Sequence, residues 1–172
     1  IARSDASLGF PEVQLGLHPG LGGTARLPRL VRADRALAMM LTGRTVNARR
    51  AQSMGMVDAV VEERHVANVV SAAAQKQLRG RGGGFAARVM RLAPARWLIA
   101  RQARRQTAAR ARREHYPAPY QLLRLWRRHG GSVRRMLEHE PRSFAELLVG
   151  DAARNLVRVY FLRERLRERG KR

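Results

Sequence analysis

The chain has 172 residues, enough to bury a real core in one or two domains. Thirty-five Lys and Arg against 13 Asp and Glu give a formal charge of +22, which would draw nucleic acid, anionic membranes or acidic partners to its surface. The lack of cysteine excludes disulfides and thiolate metal sites, and no apolar run reaches the ~18 residues of a membrane span.

Residues 1–79 have a mixed α/β pattern. Val13-Gln14-Leu15-Gly16-Leu17 alternates apolar and other residues, which predicts a short strand or extended segment. Pro19 and the glycines after it force a turn. Asp34 is the expected N-cap of a helix containing Ala36, Leu37, Met39, Met40 and Leu41, closed by Gly43. Asn47 is the expected cap of a helix over 48–54 that stops at Gly55. Val57-Asp58-Ala59-Val60-Val61 is strand-like, and a helix is predicted over about 62–78.

Gly80-Arg81-Gly82-Gly83-Gly84 marks a boundary, and residues 80–172 have a helical pattern throughout. Pro94 suits the first turn of a helix running to about residue 115, and Tyr116-Pro117-Ala118-Pro119 should stop it. A helix over 120–129 then carries Leu122, Leu123, Leu125 and Trp126 on its apolar face. Gly130-Gly131 ends it, and Ser132 caps a helix expected to break or restart at Pro141. The last helix carries Leu156, Val157, Tyr160, Phe161 and Leu166 between arginines. The charge is concentrated in this half. Residues 1–75 hold nine basic and six acidic side chains, whereas 76–172 hold 26 and seven. Because 33 of the 35 cations are Arg, a general preference for Arg over Lys explains the excess at least as well as nucleic-acid binding does.

On spacing alone, Glu12 is a surface carboxylate at the start of an extended segment. The stretch Gly9-Phe10-Pro11-Glu12-Val13-Gln14-Leu15-Gly16-Leu17-His18-Pro19-Gly20-Leu21-Gly22-Gly23-Thr24 changes that reading, together with Ala25-Arg26-Leu27-Pro28-Arg29-Leu30-Val31 and Leu41-Thr42-Gly43-Arg44. The whole resembles the second half of the catalytic core of enoyl-CoA hydratases in the crotonase superfamily. The resemblance implies an α/β fold, the C-terminal part of a crotonase-like ββα core over 1–79, followed by an all-α linker region over 80–172. Hydrating an enoyl thioester requires a base that activates water at C3, an acid that protonates C2 and donors for the enolate oxygen. By resemblance, Glu12 is the second catalytic carboxylate, credited with protonating C2, and Pro19 and Gly20 shape the wall against substrate. The first glutamate of such enzymes lies upstream in a Gly-Gly-Gly-x-Glu motif that also supplies an oxyanion amide, and no such motif occurs here. The chain opens on Ile rather than Met, so it is expected to be an internal piece, inactive alone. His18 stands where the family has an aliphatic residue and Ala25 where it has Gln; His18 is expected to be a tolerated lining residue.

Other signals are weaker. Gly20-Leu21-Gly22-Gly23-Thr24-Ala25 matches a loose dinucleotide pattern, but Asp34 comes too early for the ribose acid. Arg26, Arg29 and Arg32 recur at helical spacing, more simply a solvated face than a coenzyme A phosphate contact. The five histidines show no metal spacing.

Ala103-Arg104-Arg105-Gln106-Thr107, Glu114-His115-Tyr116-Pro117-Ala118-Pro119, Ser143-Phe144-Ala145-Glu146-Leu147 and Asn155-Leu156-Val157-Arg158-Val159-Tyr160-Phe161-Leu162 resemble the linker of multifunctional fatty-acid oxidation α-subunits. This finer resemblance implies a parent with a 3-hydroxyacyl-CoA dehydrogenase domain, NAD in that domain and a thiolase β-subunit as partner. Within these residues it implies no cofactor, only a coenzyme A thioester substrate. It implies a bacterial cytoplasmic parent, or a mitochondrial one in a eukaryote. Glu164 matches an acidic residue associated with substrate in some relatives; an exposed helix partner for nearby arginines is the simpler role. The alternatives are a stand-alone hydratase or isomerase with a helical extension, and a basic module binding nucleic acid or an anionic surface.

Overall fold

The computed structural model describes residues 1–75 and 84–170. The end of the helix expected near residue 78 and most of the glycine run at 80–84 lie outside the described residues. Strand pairing is sparse. β1 (Ala2–Arg3) and β2 (Ser7–Leu8) open the chain; β3 (Val46–Asn47) pairs antiparallel with β2, and β4 (Val60–Val61) pairs parallel with β1 in the register Ala2 to Val60. The strand expected over 57–61 shrinks to two residues because β1 offers it only a two-residue partner.

The extended segment expected at 13–17 is instead a 3-10 helix, Pro11–Leu15. Pro11 presets φ for a helical turn, and Gly16 closes it in the left-handed region at φ 74°. The amides of Gly16 and Leu17 bond to Val13 and Glu12 carbonyls at 3.1 Å, so this backbone satisfies itself without a sheet neighbour. α1 (Gly23–Leu30) and α2 (Ala33–Thr42) follow, α2 ending at Gly43 with φ 66° as expected. Its cap differs from expectation. The helical ladder starts two residues earlier, with Ala36 N–H on the Arg32 carbonyl, so Asp34 falls in the first turn, where it pairs with the Arg32 guanidinium at 3.0 Å. Asn47 does cap α3 (Ala48–Met54), accepting from Arg50 N–H at 2.8 Å, and Gly55 closes it at φ 83°. A short 3-10 turn, Glu63–His65, leads into α4 (Val66–Ala74).

The second half is helical: α5 (Gly84–Val89), α6 (Ala93–Ala108), α7 (Pro117–His129), α8 (Val133–Leu148) and α9 (Asp151–Arg169). α6 stops short of residue 115 because the amides of Arg110 and Ala111 both turn onto the Thr107 carbonyl, and the Tyr120 hydroxyl holds the Ala111 carbonyl at 2.6 Å. The Tyr-Pro-Ala-Pro stretch starts α7 as well as ending what precedes it, since first-turn prolines need no N–H acceptor. Pro141 does not interrupt α8. The Ser132 cap and a buried face of Met136, Glu140 and Leu147 carry the helix through the missing N–H.

The largest core cluster joins Leu27 and Val31, Leu37 and Met40 of α2, Ala100 of α6, the predicted apolar face of α7 and Met136 of α8. A smaller one joins Leu17, Ala118, Leu147 and Ala153. Apolar packing therefore ties residues before position 79 to helices after it. Tyr160, Phe161 and Leu166, in the outer part of α9, are exposed.

Candidate active site

Glu12 lies in the first turn of the 3-10 helix, partly buried, and its Oε2 is shielded from solvent without a hydrogen-bond partner among the described residues. The chain next reverses through His18, Pro19 and Gly20. His18 is 1% exposed. Its Nδ1 lies 2.9 Å from the Pro19 carbonyl and its Nε2 2.9 Å from Ser143 Oγ on α8, which lies 3.1 Å from Gln121 Oε1 on α7. Burial lowers the His18 pKa below its ordinary value, against the Pro19 carbonyl and the negative charges of Glu140 and Glu12, which pull it up.

Two proton arrangements fit these contacts. An imidazolium donates through both nitrogens, to Pro19 O and Ser143 Oγ, and Ser143 donates to Gln121. In the neutral form that burial favours, Nδ1–H donates to Pro19, Nε2 accepts the Ser143 proton, and Gln121 must turn its amide NH₂ toward Ser143. Protonation of His18 is thereby coupled to the side chains of α7 and α8.

The turn after Gly20 is held from α8. Glu140 is 2% exposed, and its carboxylate accepts the Gly22 N–H and the Thr24 hydroxyl. Leu21, just before them in the turn, has φ 50° and is 96% exposed, a conformation that costs an L-residue roughly 1 kcal/mol. A Cβ on Gly20 would meet the Phe144 ring at 3.3 Å, and one on Gly23 would meet Phe10 at 2.8 Å, so the turn is threaded between two aromatic rings. Phe144 also packs edge-on against His18, with centroids 6.0 Å apart. This arrangement provides a carboxylate oxygen shielded from solvent and without a partner among the described residues, near the buried His18 and Pro19. That is what a group exchanging a proton with a bound carbon acid requires.

Of the residues singled out from sequence, Glu12, Pro19 and Gly20 converge around His18. Glu164 lies apart from them on α9, where it pairs with Arg167 at 2.6 Å, one turn away. The basic face expected from Arg26, Arg29 and Arg32 is partly consumed internally, Arg26 bonding to the Leu21 carbonyl and Arg32 pairing with Asp34. Sequence reasoning missed Glu140, Ser143 and Gln121. A signal for Glu140 existed: a lone acid on the apolar 136–140–147 side of a helix is rarely placed there unpaired. Among the described residues, no group of three or more acids and histidines is placed to hold a metal.

A family model described as enoyl-CoA hydratase/isomerase matches residues 1–112. Among solved structures, the chain is similar to a carnitinyl-CoA hydratase from Mycobacterium avium, at 21% identity and TM-score 0.57, covering 94% of this chain and 50% of that one. It is also similar to EchA1_1 from Mycobacterium paratuberculosis, at 21% identity and TM-score 0.50, covering 88% and 47%. The chain thus spans about half the length of these structures. The fold is crotonase-like, and the extent of the family match, well over half of the 172 residues, establishes that the chain belongs to the enoyl-CoA hydratase/isomerase family of the crotonase superfamily.

Proposed function

We propose that this chain supplies the proton-donating half of an acyl-CoA hydratase site, with Glu12 delivering a proton to C2 of a trans-2-enoyl-CoA. The observation that carries the reading is the shielded, uncommitted Oε2 of Glu12 beside the Pro19–Gly20 turn. In hydration, water adds through oxygen to C3, its proton passing to a base, and the enolate formed at the thioester takes a proton at C2. Glu12 performs the second transfer. The base and the oxyanion amides come from residues outside this sequence, so the parent protein hydrates the enoyl thioester and the 172-residue chain alone does not.

Two forms of the parent follow from different observations. The Tyr116–Pro119 element and the 103–107 and 155–162 stretches support a multifunctional α-subunit that oxidises the 3-hydroxyacyl product with NAD and pairs with a thiolase subunit. A stand-alone hydratase or isomerase is supported by the carnitinyl-CoA hydratase structure from Mycobacterium avium, whose match over 94% of this chain provides counterparts for the helical half as well. NAD reduction by the purified parent with a 3-hydroxyacyl-CoA decides between them.

Replacing Glu12 by Gln in the parent should lower kcat for crotonyl-CoA hydration by about 10²–10⁴-fold, with a smaller change in KM. Loss of less than tenfold, or clear turnover by the isolated chain, would overturn the assignment.

A further inference from the structure

The arginines of this chain are not used uniformly. The ion pairs among the described residues employ Arg3, Arg32, Arg142, Arg154 and Arg167, each facing a carboxylate. Between α6 and α7 the pattern is different. A cleft of about 450 Å³ is lined by Arg101, Arg104, Arg113, Arg124, Arg127 and Arg128, with no carboxylate in its walls. None of these six joins an ion pair among the described residues. A mere preference for Arg over Lys does not gather cations around one concavity and keep acids out. Six like charges so placed repel one another, and the repulsion is relieved when an anion enters.

The cleft is also shaped. Its floor is apolar, from buried Ala100 and Leu123. Arg113 is presented by the loop after α6, which Tyr120 pins through its hydroxyl to the Ala111 carbonyl at 2.6 Å. Trp97, 47% exposed, forms one wall, and the Arg101 guanidinium lies 5.2 Å from its ring centre. Guanidiniums grip phosphate oxygens in bidentate fashion, while an exposed indole over an apolar floor stacks on a flat ring. The volume falls in the range of small-ligand sites, about 300–1,000 Å³.

We infer that the α6–α7 cleft binds a phosphorylated nucleotide, its phosphates held by the arginines and its base stacked on Trp97. This site is built without Glu12 or the Pro19–Gly20 turn, and it stands or falls independently of the hydratase reading. The nucleotide can be free, or it can be the nucleotide end of a larger ligand such as coenzyme A; the chemistry of recognition is the same.

The test uses the 172-residue chain. Trp126 is fully buried, so quenching of tryptophan fluorescence on titration with ADP or ATP reports Trp97. The expected result is saturable quenching, weakened at least about tenfold in an Arg104→Ser/Arg127→Ser double variant. Trp97→Phe should lose most of the fluorescence signal while calorimetry still detects binding. Coenzyme A that competes with ADP identifies the ligand as a coenzyme A species, and coenzyme A that does not compete identifies a free nucleotide; either supports the cleft. Three results would overturn it: no saturable binding, binding indifferent to the double variant, or tripolyphosphate or duplex DNA displacing ATP with equal or higher affinity and no dependence on Trp97.

Discussion

Glu140 sits on the apolar side of α8, where its two oxygens serve two donors of the 18–24 turn, the Gly22 amide and the Thr24 hydroxyl. An amide at this position can still accept from Gly22 and donate to the Thr24 oxygen, so Glu140→Gln keeps the connection in altered form. A leucine strands both buried donors, and stranding costs about 1–3 kcal/mol for each. Urea unfolding should therefore show Glu140→Leu destabilised by roughly 2–4 kcal/mol and Glu140→Gln by less than half as much. Equal stability of Glu140→Leu and the parent chain would mean that the staple holds nothing. His18 makes a second residue-scale prediction. Burial depresses its pKa in the folded state from the unfolded value of 6.5, so below that pH the unfolded chain binds the extra proton and the folded chain resists it. Its neutral burial costs nothing at neutral pH and becomes a penalty as pH falls through 6.5 toward the folded pKa. His129, lowered chiefly by desolvation and then by stacked His139, acts in the same direction but is less buried than His18, so its share is smaller. The unfolding midpoint should drop between about pH 7 and 5.5, and the slope should flatten in His18→Gln more than in His129→Gln. The reverse order would place the sensitive proton elsewhere.

Elements in this fold meet through glycines as well as through side chains. Gly16 closes the Glu12 turn at φ 74°, and a Cβ there would lie 3.0 Å from the backbone of Ala153, at the foot of α9. Gly84 has a similar φ of 54°, but a Cβ on it would meet nothing within 4 Å among the described residues. Alanine at Gly84 thus carries only the backbone strain, about 1 kcal/mol, whereas alanine at Gly16 adds a backbone collision worth about 1–3 kcal/mol more. Denaturant midpoints should separate the two variants by that difference, and amide exchange in the first turns of α9 should quicken in Gly16→Ala alone. Equal effects would show that α9 is not docked through Gly16. The contrast also explains what sequence could reveal. Asn47, Gly43, Gly55, Ser132 and the apolar face of α7 are local signals, each acting within one turn or one face, and each was legible. The segment at 13–17 was not, because alternation is shared by strands and by short turns, and only the proline–glycine bracket decides between them. Glu12, Pro19 and Gly20 were singled out by the residues around them. The side chains that hold the adjoining turn, Glu140 on Gly22 and Thr24 and Ser143 with Gln121 on His18, lie about a hundred residues or more further on, where no local pattern says what they face.

On the scale of the whole molecule, the unequal charge is the dominant long-range force. The +22 total is carried almost entirely by residues 76–172, whose helices pack in the same core as α1 and α2. Ion pairing among the described residues is confined to six exposed contacts, each a small contribution in water. Repulsion among the remaining arginines therefore opposes the compact state, and unfolding relieves it by moving the charges apart. Salt shortens the reach of that repulsion from about 30 Å at 0.01 M to about 8 Å at 0.15 M, while apolar burial is little affected over the same range. The thermal midpoint should accordingly rise as sodium chloride increases from about 0.02 to 0.3 M, the opposite of what a fold held by surface ion pairs would do. Sulfate or pyrophosphate at equal ionic strength should raise it further, since a specifically bound anion stabilises by mass action beyond screening. If chloride and pyrophosphate act equally, the net charge is felt only as a diffuse field and the α6–α7 cleft gathers no anion. A gain with pyrophosphate that vanishes in Arg104→Ser/Arg127→Ser places the excess charge at that cleft.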